Sequence, residues 1–194
     1  MADSALWPLF VNAALVNNFV LAYFLGICPF LGVSGKLDSA ARMGVAVTFV
    51  MLIASLCAFG IHQVLVAIDA RHLELIAFIV VIAATVQLVE MFVRKTSPAL
   101  FRALGLYLPL ITTNCAILAV ALFQTNRAYA FVESLVFALG AGAGFTLALL
   151  LIAGIREKLG LGAVPDLAQG MAITLVLAGI LSLSFMGFAG MGTL

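Results

Sequence analysis

The stretch from Met43 to Ile68, MGVAVTFVMLIASLCAFGIHQVLVAI, contains no Asp, Glu, Lys or Arg. About 20 apolar residues in a helix are enough to cross the hydrocarbon core of a bilayer, which is about 30 Å thick. The whole chain has the same character: of its 194 residues 65% are hydrophobic and 9% charged, and its mean hydropathy is +1.29. Soluble domains contain roughly 45–50% apolar and 25% charged residues, so the composition predicts an integral membrane protein.

Five further runs of similar length carry at most one charged residue each. They extend from Trp7 to Gly35, Leu75 to Val93, Ala103 to Asn126, Ala128 to Ile155 and Leu167 to Leu194. In lipid the backbone must satisfy its own hydrogen bonds, and runs of this length form helices rather than the barrel strands of about ten residues. The sequence therefore predicts an all-α protein with six transmembrane helices, in a single transmembrane domain that covers residues 1–194.

The basic residues predict the orientation of these spans. Arg71 and Arg127 fall on the side of the two termini, whereas the loops after spans one, three and five hold the others: Lys36, Arg42, Arg94, Lys95, Arg102, Arg156 and Lys158. Because basic loops stay in the cytoplasm, we expect both termini to face the periplasm of a bacterial inner membrane. The N-terminal MADSALWP lacks the basic residues of a signal peptide, so we expect it to be retained. No basic arm for nucleic acid is present.

A pattern centred on cysteine occurs twice, as LGICPFLGVS at 25–34 and TTNCAILAVA at 112–121. Aligning Cys28 with Cys115 places Leu and Val at the same offsets after each cysteine. A three-span unit that is repeated once reverses its direction in the membrane, which produces inverted repeats related by a pseudo-two-fold axis. We therefore predict two inverted three-helix repeats, about 5–95 and 98–194, with Cys28 and Cys115 near the axis.

Both cysteines lie beside residues that interrupt helices. Gly26 and Pro29 flank Cys28, and Pro109 with the stretch 111–114 precedes Cys115. A proline removes a backbone donor and clashes with the carbonyl four residues earlier. We predict that helices 1 and 4 are broken or kinked, as in membrane proteins that build sites from half-helices, although a kink without function is the simpler alternative.

The chain has three cysteines, an odd number that argues against a disulfide framework. Cys57 has no counterpart in the other half and is interpreted as a small packing residue. Paired thiolates at Cys28 and Cys115 suit zinc, Cu(I) or an iron–sulfur cluster. A [2Fe–2S] cluster needs four ligands, commonly four cysteines, so a complete cluster site would require two ligands from another chain.

Four segments show a resemblance to a known family. VNNFV at 16–20, LGICPF at 25–30, VEMFVRKTSP at 89–98 and LPLITTNCA at 108–116 closely resemble the RnfA/NqrE family of membrane subunits. The resemblance covers essentially the full length. The VNNFV and CPFLGVS versions are more similar to the RnfA branch of the family than to the NqrE branch.

The resemblance implies a function that the residues alone do not. Rnf complexes resemble redox-driven pumps that couple electron transfer between ferredoxin and NAD to Na⁺ or H⁺ movement. The chain would be one subunit of this oxidoreductase, without a complete active site of its own. It would lie beside a homologous RnfE-like subunit of opposite orientation and the B, C, D and G subunits. The resemblance also implies one intramembrane [2Fe–2S] cluster shared with that partner, with Cys28 and Cys115 as two of its ligands.

Other cofactors are not expected on this chain. It has no Ser/Thr-Gly-Ala-Thr type motif for covalent flavin and no GxGxxG opening a helix after a strand for NAD. Glycines 140, 142 and 144 lie inside span five with no following Lys-Ser/Thr. They are typical of close helix packing through small residues.

The remaining polar residues allow predictions about ion pairing and hydrogen bonds within the membrane. Glu90 lies four residues before Arg94, so the two share a helix face. We favour structural pairing there, with an ion path as the alternative. Three neighbours of the cysteines are candidates for supporting the cluster: Asn114, Thr113 and Pro29. Asn114 could donate a hydrogen bond to a cluster sulfur. Asn17, Asn18 and Asn114 are expected to hydrogen-bond between helices.

Two other classes of protein remain open from the sequence. A secondary transporter also has inverted repeats and broken helices, but it usually needs charged or densely polar groups at the membrane midplane. An ion-path or scaffold subunit without its own redox centre leaves the repeated cysteines unexplained.

Overall fold

The computed structural model describes residues 3–33, 35–69, 71–96, 111, 113–159 and 171–189. These residues form helices joined by short turns, and no β-strand occurs among them. The α-helices are α1 (Asp3–Val11), α2 (Phe19–Tyr23), α3 (Ile27–Val33), α4 (Leu37–Ala67), α5 (Glu74–Thr96), α6 (Cys115–Asn126), α7 (Phe131–Leu159) and α8 (Met171–Ala189). A π-helical segment, Asn12–Val16, follows α1, and a 3₁₀ turn, Arg71–Leu73, precedes α5. The predicted all-α class is confirmed.

Three helices in the described residues are long and apolar enough to cross a membrane: α4, the segment Glu74–Met91 of α5, and α7. Shorter apolar helices cover Leu6–Val16, Cys115–Asn126 and Ala172–Gly187. Residues 97–110 and 112, which include Pro109 and most of the first half of predicted span four, lie outside the described residues. The break predicted around Pro109 therefore stays a prediction, and so does the division of the chain into repeats of 5–95 and 98–194.

The predicted break in span one is confirmed, but it lies ahead of Cys28. The span consists of α1, the π-helical segment, α2 and α3, with interruptions at 17–18 and 24–26. Pro29 is not the residue that breaks the helix. It is the third residue of α3, and a proline in the first turn of a helix removes an N–H that has no helical partner.

Helix α7 is the centre of the fold. In the most apolar 18-residue stretch of α7, 56% of the residues are buried. The corresponding fractions are 39% in α4 and 17% in α5. Its buried face consists mostly of small residues, Gly140, Ala141, Gly142 and Gly144 among them. A Cβ added to Gly140 would lie 2.8 Å from the carbonyl oxygen of Phe10 in α1. The glycines of span five thus serve close helix packing, as predicted.

Helices α4 and α7 cross in a reciprocal contact. A Cβ on Gly44 would lie 2.5 Å from Cγ2 of Thr146, and a Cβ on Gly142 would lie 2.6 Å from Cγ2 of Thr48. The two threonine hydroxyl oxygens are 3.4 Å apart. Each hydroxyl also donates to the carbonyl of the glycine four residues earlier in its own helix, at 2.8 Å. Each glycine therefore makes room for the threonine of the other helix.

This crossing has the symmetry that an inverted repeat requires. A two-fold rotation that exchanges the helices would exchange Gly44 with Gly142 and Thr48 with Thr146, and it would reproduce both contacts. Helices α4 and α7 are the second and fifth predicted spans, which are equivalent in the proposed repeat. The contact supports the repeat for this pair of helices.

A buried polar network joins α4, α6 and α7. The Ser55 hydroxyl donates to Oε1 of Gln124 at 2.6 Å, and Nε2 of Gln124 donates to the Ser55 carbonyl at 3.0 Å. The same hydroxyl lies 3.3 Å from the Ser134 carbonyl. Because polar groups in lipid need partners within the protein, these bonds tie the C-terminal half of span four to the central helices.

We predict that Gly142→Ala destabilises the protein. Alanine raises helix propensity by about 0.5–1 kcal/mol, but overpacking a close contact costs about 1–3 kcal/mol, so the net effect is a loss. Thermal unfolding in detergent should show a lower midpoint.

Gly154→Ala is the matched control, because no described residue lies within 4 Å of a Cβ at that position of α7. It should leave the midpoint unchanged or raise it. Adding Thr48→Ala to Gly142→Ala should recover part of the loss. An equal effect of both single substitutions would contradict the close contact.

Candidate cluster site at the broken helices

The break in span one is held by Asn18. This residue caps α2: its Oδ1 accepts from the backbone N–H groups of Val20 at 3.0 Å and Leu21 at 3.4 Å. Its Nδ2 donates to the carbonyl of Ala14 at 3.1 Å and to the carbonyl of Gly144 in α7 at 2.7 Å. The side chain thus satisfies backbone groups that the break exposes, and it anchors the break to the central helix.

The second interruption of span one is a tight turn before Cys28. Phe24 ends α2 with φ 53°, and Gly26 has φ +81°. Only glycine adopts this conformation without strain. A Cβ at position 26 would also lie 2.7 Å from Cε2 of Phe145 and 3.3 Å from the Cβ of Ala116. Glycine is therefore required here both by backbone conformation and by space.

The second cysteine begins helix α6. Asn114 is the N-cap, and its Oδ1 accepts from the N–H of Ala116 at 3.0 Å. Cys115 is the first residue of the helix, where backbone N–H groups lack helical partners and the helix dipole favours negative charge. Nδ2 of Asn114 is buried and has no hydrogen-bond partner among the described residues.

The two cysteine segments meet in the structure. The backbone N–H of Gly26 donates to the sulfur of Cys115, with 2.9 Å between nitrogen and sulfur. Gly26 precedes Cys28 by two residues, so their Cα atoms are no more than about 7–8 Å apart. The turn that leads into one cysteine thus contacts the sulfur of the other, across 89 positions of sequence.

Both cysteines are accessible from outside the chain. Cys28 is exposed and Cys115 is half-buried, and neither forms a disulfide. Among the described residues no group of three or more His, Cys, Asp or Glu side chains could hold a metal ion. Within those residues Cys28 and Cys115 therefore offer at most two thiolate ligands, at a surface that another chain can reach.

The other residues predicted around the cysteines have different positions. Pro29 is buried in the first turn of α3. Thr113 is exposed and interacts with another group of the protein. Cys57 lies between α4 and α5, where its sulfur is 3.7 Å from the donor hydroxyl of Thr85. That contact agrees with the interpretation of Cys57 as a packing residue.

Two features of the charged residues bear on the predictions. Glu90 is half-buried near the end of α5, and the side chain of Arg94 lies outside the described residues, so their pairing stays a prediction. His62 Nδ1 and Glu74 Oε1 lie 3.1 Å apart and join α4 to the start of α5. The sequence did not indicate this pair, because its members belong to different spans.

Of the three asparagines expected to bond between helices, Asn18 does so. Asn17 instead donates to Asn12 within its own span, and Asn114 caps its own helix. Local bonding is common for asparagine because its short side chain reaches nearby backbone and side-chain groups. The contact of the Gly26 N–H with the Cys115 sulfur was also missed, since sequence shows neither the sign of φ nor a contact made by a peptide group.

A comparison with known families decides where the chain belongs. A family model described as Rnf-Nqr subunit, membrane protein, matches residues 6–192. The chain belongs to this family. Together with the apolar helices, Rnf-Nqr membership establishes a multi-pass membrane protein.

Curated Rnf-Nqr relatives are similar along almost their whole length. A protein of Syntrophotalea carbinolica, named as the A component of an ion-translocating oxidoreductase complex, is 57% identical over 182 residues, which cover 93% of this chain and 94% of that protein. Proteins with the same name from Serratia proteamaculans and Citrobacter koseri are 55% and 54% identical, each over 94% of this chain and 95% of the relative.

We predict that Asn18→Ala destabilises the break in span one. Loss of an N-cap costs about 0.5–2 kcal/mol, and the carbonyl of Gly144 would lose the bond from Asn18 as well. The thermal midpoint in detergent should fall. Asn126→Ala, at the exposed end of α6, should leave it nearly unchanged, and a similar fall in both variants would contradict the anchoring role.

Proposed function

We propose that this chain is a membrane component of a ferredoxin:NAD type oxidoreductase complex that translocates Na⁺ or H⁺. In this proposal it relays electrons through an intramembrane [2Fe–2S] cluster shared with a homologous RnfE-like subunit of opposite orientation. Support comes from relatives named as the A component of an ion-translocating oxidoreductase complex. The observation that carries the proposal is the contact between the turn before Cys28 and the sulfur of Cys115.

The donor set fits half of a cluster site. Cys28 and Cys115 would supply two thiolates, and the homologous subunit would supply the other two of a Cys₄ set. The exposure of Cys28 and the partial exposure of Cys115 leave both sulfurs accessible to that subunit. Such a cluster, once bound, carries one electron at a time.

The residues around Cys115 have physical roles in this proposal. The start of α6 directs backbone N–H groups and a favourable dipole toward a negatively charged ligand. Phe145 and Ala116, which lie next to Gly26 at this site, are fully buried. Nδ2 of Asn114, which has no partner among the described residues, is a donor that could support the site. Thr113 and Pro29 flank the two ligands in sequence.

Further parts of the complex are proposed by the same reasoning. We place the chain in the bacterial inner membrane with both termini in the periplasm, beside the B, C, D and G subunits of an Rnf complex. Flavin and NAD would be bound by those other subunits. Glu90, half-buried at the end of α5, remains a candidate for the ion path.

We predict that Cys28→Ala and Cys115→Ala each abolish the electron paramagnetic resonance signal of a reduced [2Fe–2S] cluster in the purified complex. The iron content should fall by the same amount in both variants. Each substitution removes a thiolate that the remaining three cannot replace. Cys57 lies outside the site, so Cys57→Ala should leave both the signal and the iron content unchanged.

The outcome separates the candidate functions. Loss of the signal with all subunits still assembled would support the shared cluster. An unchanged signal and iron content in both variants would reject the ligand assignment and favour a transporter, ion-path or scaffold role for this chain.

A further inference from the structure

We propose that the peptide N–H of Gly26 is a positioning and tuning group for the redox centre, and that it acts on the sulfur of Cys115. This inference rests on the proposed function and deepens it. It assigns a role to a residue that carries no side chain. It also explains why the turn before Cys28 has a positive φ at Gly26: this conformation directs the N–H toward the sulfur.

The peptide group of Gly26 points in the direction that this role requires. With φ at +81°, the backbone of Gly26 turns its N–H toward α6, and the nitrogen is 2.9 Å from the sulfur. A residue with a side chain at this position would be strained in that conformation. The position of the N–H donor therefore depends on having glycine at residue 26, although the group that contacts the sulfur belongs to the backbone.

The surroundings of Gly26 fix this donor in place. Its α-carbon is enclosed by Phe145 of α7, Ala116 of α6 and Oδ1 of Asn114, all within 3.3 Å of an added Cβ. Phe145 and Ala116 are fully buried, and Asn114 is 3% exposed. The peptide group is thus packed against the same short helix start that carries Cys115, which leaves it little freedom to move.

A donor at this position has an electrostatic consequence. Reduction of an iron–sulfur cluster adds negative charge that spreads onto the ligand sulfurs. A hydrogen bond donated to such a sulfur stabilises the reduced form more than the oxidised form, and it therefore raises the reduction potential. Because the donor belongs to the first repeat and the acceptor to the second, the potential would depend on how the two cysteine segments are held together.

The direct test uses the assembled complex labelled with ¹⁵N in glycine only. Pulsed electron paramagnetic resonance of the reduced cluster should detect a hyperfine coupling to a glycine nitrogen. In Gly26→Ala the part of this coupling that comes from Gly26 should vanish, because alanine carries no label. Absence of any glycine coupling in the wild-type complex would overturn the inference, and this measurement requires no variant.

The potential provides the second readout. In Gly26→Ala the strained backbone and the contact with Phe145 should displace the N–H, so a redox titration should give a midpoint potential lower than that of wild type. Adding Phe145→Leu removes the ring atom that lies 2.7 Å from the new Cβ, and this second variant guards against failure to assemble. Gly35→Ala is the control, since none of the described residues lies within 4 Å of a Cβ there.

The outcomes distinguish this inference from the proposed function. If the cluster signal survives Cys28→Ala and Cys115→Ala, the proposed function fails and the inference fails with it. If those variants lose the signal while Gly26→Ala retains both the wild-type potential and the full glycine coupling, only the inference fails. A lowered potential with loss of coupling in Gly26→Ala, and neither change in Gly35→Ala, would support it.

Discussion

The close approach of backbones along the glycine face of α7 is the constraint on which the rest of the structure depends. Lipid provides no hydrophobic force between helices, so association relies on van der Waals contact and hydrogen bonds. Gly142 admits Thr48 of α4, and Gly144 brings the carbonyl within reach of Asn18. Because the broken first span rests on the same helix, the turn before Cys28 is held where it meets Cys115.

A break in a membrane helix exposes backbone groups that lipid cannot satisfy, and the chain meets this cost with asparagine. Asn18 caps α2 and Asn114 caps α6, each by accepting N–H groups of the helix that follows it. Cys28 lies in the first turn of α3, after the second interruption of span one, and Cys115 is the first residue of α6, which Asn114 caps. The caps that compensate for the interruptions and the proposed cluster ligands therefore lie in the same short segments. A transport protein with broken helices would use the exposed groups for its substrate instead.

Much of this arrangement could be predicted from sequence, because hydropathy and spacing report directly on it. The apolar runs indicated the helices, and the repeated cysteine pattern indicated which residues belong together. The exact position of the break could not be predicted: Gly26 and Pro29 were both candidates, and the structure has the interruption at 24–26, where Gly26 has a positive φ. The reciprocal contact of Gly44 with Thr146 was also hidden, since glycine and threonine at four-residue spacing are common in membrane helices. Pairs between spans, such as His62 with Glu74, need the fold itself.

The central claim is that the segments of Cys28 and Cys115 lie together at the broken helices, whereas Cys57 lies elsewhere. The most direct measurement is intrachain thiol cross-linking in the purified complex after treatment with an iron chelator, with a short bifunctional reagent and detection by mass spectrometry. The account predicts a Cys28 to Cys115 link in Cys57→Ala, and no link from Cys57 to Cys115 in Cys28→Ala. Absence of the first link, or equal yields of both, would contradict it.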